Sequence, residues 1–372
     1  MVLLEQLLNS SWKSYSYILE LESEPVHFLT DTFFNKYSKN KQYLADFIGT
    51  NNDNITLIRN STTGVNQVLN SLPSEKGDEW LITSHIYGAC LNAINHYSKK
   101  YSTKVNIVNI PFENANDNDI LTALEKAITK KTTFALIDHI SSASATIFPV
   151  KDIIDLLQQK NIKVLIDGAH APGMIPLNID ELHPDYYVGN CHKWLCAPKG
   201  TAFLFVGQEH QNIITPLVIS HHNDMFDNNN WSNQFIWDGT NDFSPFLCIE
   251  DSIEYMKNLF PGGWEEIMKH NSNLIIEAGN HIVKKLDLDF NISENYRASI
   301  LSLPLNIKYI KPQKFNQKLP IQETLFNKYK IEVPIVKYPG TNDLYIRISA
   351  QIYNSIEQYE YLAESLLKIL KS

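Results

Sequence analysis

The chain has 372 residues, 44% hydrophobic and 20% charged, with a formal net charge of −9. That length suits one large or two medium domains with a substantial core, and the acidic balance argues against nucleic acid or an anionic membrane surface as the main partner. No apolar run reaches the roughly 18 residues of a membrane span, and four cysteines without zinc-type spacing (Cys90, Cys191, Cys196, Cys248) point to a reducing, cytoplasmic setting.

The start, MVLLEQLLNSSWK, has no basic leader and reads as an amphipathic helix over residues 1–19. From residue 55, short β-branched runs alternate with helical stretches. Strands are predicted at ITLIRN (55–60), EWLITS (79–84), KVNIVNI (104–110), TFALIDHI (133–140), IKVLID (162–167), DYYVGN (185–190) and TAFLFVG (201–207). Helices are predicted in TTGVNQVLNSL, up to Tyr97, over 117–130 and in VKDIIDLLQQK. Nearly continuous apolar strands separated by helices imply an α/β fold with a mainly parallel sheet covered on both faces. Ligands of such sheets sit beyond the carboxyl ends of the strands. Residues 60–62, 85–88, 139–142, 167–170 and 190–193 are thereby gathered around one crevice. The polar stretch 220–234 is a loop, and its His221-His222 pair has no evident third ligand, so no metal site is expected. Beyond 243, helices run through 286. Weaker strands follow near 298–304 and 331–336 with a helix between them, then the strand LYIRIS (344–349) and a closing helix (354–371). The expected organisation is a large domain over 20–250 and a smaller α+β domain over 251–372.

The chemistry starts at IKVLIDGAHA, where a strand ends in Asp167. Alone, that aspartate reads as a turn or helix cap. A second strand, in VGNCHKW, presents His192 and Lys193 at the same rim. Lys193 lies between an apolar strand and Trp194-Leu195, where a free ammonium is costly; a desolvated lysine can form a Schiff base. A lysine facing an aspartate across a crevice suits pyridoxal 5′-phosphate, whose ring nitrogen is held protonated by a carboxylate. Asn60-Ser61-Thr62-Thr63-Gly64 follows a strand and opens a helix, a suitable seat for its phosphate.

The run LIDGAHAPGMIPLNIDELHPDYYVGNCHKWLCAPKGTAFLFV (165–206) resembles the core of the class V aminotransferase family of fold type I, nearest its isopenicillin-N-epimerase-like branch. RNSTTGVN (59–66), SHIYGA (84–89), WDGTND (237–242) and LYIRISAQIYN (344–354) agree in order and character, so the resemblance spans roughly 20–372. It implies that Lys193 carries the cofactor, Asp167 pairs with the pyridine nitrogen, His170 lies near the ring and Tyr87 stacks on it. Ser61, Thr62 and His192, with Asn190, would hold the phosphate, and Ser142 would approach the phenolic oxygen. Gly239 and Thr240 match a pair reaching the cofactor phosphate of a neighbouring subunit, which implies a homodimer with shared active sites. Arg347 matches the arginine that grips a substrate α-carboxylate through a bidentate fork. The family pattern has an acidic residue where Ile86 stands, a frequent glycine where Ala145 and Thr146 stand, and a substrate-covering segment ahead of the first long helix.

The cofactor fixes the electron sink and not the outcome. The stretch 325–346 has no cysteine, which disfavours a persulfide-forming desulfurase. The residues leave open an amino-acid epimerase, toward which the resemblance leans, a carbon–sulfur lyase releasing pyruvate, or an aminotransferase. A non-catalytic binding protein on the same fold is the alternative from another class.

Overall fold

The computed structural model describes residues 2–111, 116–221, 230–292, 298–308, 319–337 and 341–371. Arg297 and His222 lie outside them. Seven strands form the main sheet: β1 (Ile55–Ile58), β2 (Glu79–Thr83), β3 (Lys104–Val108), β4 (Thr132–Asp138), β5 (Lys163–Asp167), β6 (Tyr186–Asn190) and β7 (Ala202–Val206). Their order is β1-β7-β6-β5-β4-β2-β3. The pairs from β3 through β6 are parallel, whereas β7 runs antiparallel to both β6 and β1. The connection from β6 to β7, residues 191–201, contains no helix and falls below the dozen or more residues of a crossover that a parallel return needs. The mainly parallel expectation therefore holds with one reversed strand.

Period-2 alternation explains why the central strands read as unbroken apolar runs. Ala135, Ile137, Val164 and Ile166 face one layer with Phe33, Leu44, Ile153 and Leu157. Phe134, Leu136 and Leu165 face the opposite layer with Val65, Leu69 and Ile94. Each such side chain contributes roughly 1.5–3 kcal/mol by leaving water, so both faces must be covered. The helices Phe33–Ile48 and Val150–Gln158 cover the first face, and Ser61–Ser71 and Gly88–Tyr101 the second. Among the described residues no helix is long and apolar enough to cross a membrane, and all four cysteines are free thiols.

The later part of the chain builds a second sheet, ordered β8-β10-β9, from β8 (Ile300–Lys308), β9 (Ile335–Lys337) and β10 (Asp343–Ser349), all antiparallel. The long helix Gly263–Leu286 and the closing helix Ile356–Leu370 pack on it through Ile275, Ile282, Leu362 and Leu366. β10 carries Arg347 toward the first sheet, while Ser302 of β8 donates its hydroxyl to the carbonyl of Ala143 at 2.6 Å.

Candidate active site

The carboxyl ends of the parallel strands open into a cavity of about 180 Å³ lined by Asn60, Ser61, Thr62, Tyr87, Asp138, Ile140, Ser142, Asp167, Ala169, His170, Asn190, His192 and Lys193. Nine of the residues expected from sequence thus meet in one place. At one end the side chain of Asn60 caps the helix Ser61–Ser71 by accepting from Thr63 N–H at 2.8 Å. Asn190 accepts the Ser61 N–H at 2.9 Å, tying the β6 terminus to that turn. The buried Ser61 hydroxyl has no partner among the described residues. His192 donates Nδ1–H to the Thr201 carbonyl at 2.7 Å, so it can donate from Nε2 only as imidazolium, a state that an adjacent phosphate favours. Burial pulls its pKa below the usual histidine value.

At the other end two carboxyl groups lie on neighbouring strands in register, Asp138 of β4 beside Asp167 of β5. Asp167 accepts from the Ala169 N–H at 3.0 Å and from the Cys90 thiol at 3.2 Å. The bland reading of Asp167 as a turn residue is therefore also true: it closes an Asx turn into the Gly168 bend. Burial raises the affinity of both carboxyls for protons, most strongly at Asp138, where Asp167 adds to the effect. A buried carboxylate in that position is stabilised by a cation.

Lys193 lies between these ends, its amine 2.9 Å from Nε2 of His170. Desolvation pulls its pKa down to about 8, opposed mainly by Asp167 and assisted by Arg347. His170 is pushed well below its usual range by burial, then by Lys193 and Arg347. Arg347 donates from Nη1 to the Ser142 carbonyl at 2.7 Å and its hydroxyl at 2.9 Å. Its Nε is buried without a partner among the described residues, leaving donor capacity for an anion.

The profile described as aminotransferase class V matches residues 5–362. This chain belongs to the class V aminotransferase family. The enzyme is 26% identical over 367 residues to the probable chloroplastic L-cysteine desulfhydrase of Arabidopsis thaliana, a match covering 92% of this chain and 76% of that one. It is 24% identical over 362 residues to the isopenicillin N epimerase of Streptomyces clavuligerus, covering 93% and 87%. Among solved structures, a C-DES lysine variant with glycine covalently linked to its pyridoxal phosphate has a TM-score of 0.80 at 17% identity, covering 96% of this chain and 92% of that one. Fold type I and dependence on pyridoxal phosphate follow for this class V enzyme.

The residues present fit that cofactor. The orphaned Ser61 hydroxyl at a helix N-terminus suits a phosphate. The proton-hungry Asp167 suits a cationic ring nitrogen, and the depressed amine of Lys193 suits a carbonyl carbon. Gly239 and Thr240 do not line this chain's cavity; they sit in a partly exposed turn with Gly239 at φ 120°. The cavity also holds Asp138, which sequence reasoning did not single out, and Cys90 of the helix Gly88–Tyr101 donates its thiol to Asp167. Asp138 ends an apolar strand just as Asp167 does, a signal legible in TFALIDHI.

Proposed function

We propose that this class V enzyme is a carbon–sulfur lyase that removes the α-proton of a cysteine-type amino acid and eliminates the sulfur substituent. The observation that carries this reading is that Lys193, the single amine among the described residues lining the cavity, has its pKa lowered to about 8. Bound pyridoxal phosphate supplies the electron sink for the pair left at the α-carbon. Lys193 is about half free amine near pH 8 and takes the α-proton as a general base. The Cβ–S bond then breaks with its electron pair leaving on sulfur, and hydrolysis of the enamine product gives pyruvate and ammonia. Arg347, braced by Ser142, would fix the substrate carboxylate. Ser61, Thr62, Asn190 and His192 would hold the phosphate end, Asp167 the ring nitrogen, and Tyr87 and His170 the ring. The L-cysteine desulfhydrase name of the Arabidopsis relative supports this choice.

An elimination needs one base, whereas epimerisation needs a second acid on the opposite face. Tyr87, which is 47% exposed at the cavity, is the group that favours the epimerase reading, as does the Streptomyces relative. Purified enzyme loaded with pyridoxal phosphate and given L-cysteine, L-cystine or cysteine sulfoxides should release pyruvate, and Tyr87→Phe should keep that activity. Deuterium exchange at the α-carbon with loss of optical rotation and no pyruvate would overturn the lyase reading in favour of an epimerase.

A further inference from the structure

Lys193 and His170 are joined by a third group whose hydrogen count decides their protonation. The indole nitrogen of Trp194 lies 3.4 Å from Nδ1 of His170, and the Lys193 amine lies 2.9 Å from Nε2. An indole N–H can only donate, so Nδ1 must accept. A neutral imidazole then carries its proton on Nε2 and donates it to Lys193. An ammonium has no lone pair to receive that proton, but a free amine has one. Charging His170 instead is opposed by its burial, at 8% exposure, and by the cation Arg347.

We propose that Trp194 is a positioning residue that fixes the Nε2–H tautomer of His170 and thereby holds Lys193 as a free amine, ready to capture the cofactor and to act as base. Trp194 follows Lys193 directly in sequence, and its backbone lies 2.8 Å from where a Cβ on Gly173 would be, at φ 81°. The absence of a side chain at Gly173 lets the turn carrying both residues sit close to the Asp167–Gly173 segment. The other groups facing Lys193 are Asp167, Asp138, Cys90 and Arg347. The carboxyl groups favour the ammonium, so the relay works against them in the same direction as desolvation.

The proposal rests on Lys193 being the reactive amine, and two measurements separate the two claims. In stopped-flow mixing of apoenzyme with pyridoxal phosphate, Trp194→Phe should move the pH midpoint of capture upward by about half to one unit, slowing capture at pH 7 about three- to tenfold. An unchanged midpoint in Trp194→Phe overturns the relay while leaving the lysine assignment intact. Unaltered capture in Lys193→Ala overturns the lysine assignment itself. Nitrogen-15 NMR of histidine-labelled wild-type apoenzyme, with the resonance assigned through His170→Asn, should show the proton on Nε2. A proton on Nδ1 overturns the proposal even if the tryptophan variant does not fold.

Discussion

The role proposed for Lys193 depends on its proton affinity. A lysine whose folded pKa is lowered has its charged form disfavoured by folding, so its amine is mostly free above about pH 8 and mostly charged below. Cofactor capture should rise about tenfold per pH unit up to that midpoint and level off beyond it; a flat profile from pH 6 to 9 would rule out a Lys193 midpoint near pH 8. The role proposed for Arg347 depends on geometry. Arg347→Lys keeps a charge but loses the planar fork that contacts Ser142 and would contact a carboxylate. The Michaelis constant should then rise about ten- to a hundredfold with the visible spectrum of the bound cofactor unchanged. An unchanged Michaelis constant would show that the carboxylate is held elsewhere. Arg59 pairs with Asp238 at 3.0 Å, which ties the Gly239-Thr240 turn to the residue that precedes Asn60, the cap of the helix Ser61–Ser71.

Elements deliver these residues through their termini. The parallel strands β4, β5 and β6 end at the cavity, so strand ends legible as punctuation in the sequence (Asp138-His139, Asp167-Gly168, Asn190-Cys191) converge without any signal of their own contact. Gly168 shows how tight that convergence is: a Cβ there would lie 2.0 Å from the Tyr187 hydroxyl, which in turn lies 2.8 Å from Nδ1 of His139. Gly168→Ala should cost roughly 1–3 kcal/mol by overpacking and lower the unfolding midpoint measured by calorimetry; an unchanged midpoint would mean that the turn is plastic. The loop after β4 carries a different strain. Ala145 adopts φ 61°, which explains why glycine is frequent at this point of the family pattern. Around it, Ser141 and Ser144 hydrogen-bond each other, and the buried His85 bridges Ser144 at 2.6 Å and the Ile110 carbonyl at 2.9 Å. This buried network shapes the segment on which Arg347 rests. The reversal of β7 was not legible in TAFLFVG, because an apolar run buried on both faces carries no direction.

At the scale of the molecule, the placement of Gly239 and Thr240 away from this chain's cavity is what a shared site requires, and we propose a homodimer in which each turn serves the partner's cofactor. Mixing the chains of Lys193→Ala with those of an inactive Thr240 variant, after reversible dissociation, should restore up to about a quarter of wild-type activity, because half of the random dimers hold one intact site. Elution at the 42.7 kDa chain mass with full cofactor binding would sink the shared-site idea. The sequence by itself determined which residues have the right chemistry. Lysine, aspartate and arginine occur in contexts where a solvated charge is a poor explanation, and the strand–helix rhythm places them at strand ends. Only the tertiary structure decided what each group is paired with. Asp167 meets Cys90 from a helix and Asp138 from the neighbouring strand, Lys193 meets His170 from another loop, and Arg347 arrives from a separate sheet. Proton affinity is set by burial and by neighbours within a few ångströms, and those neighbours lie between 23 and 205 residues apart in the chain.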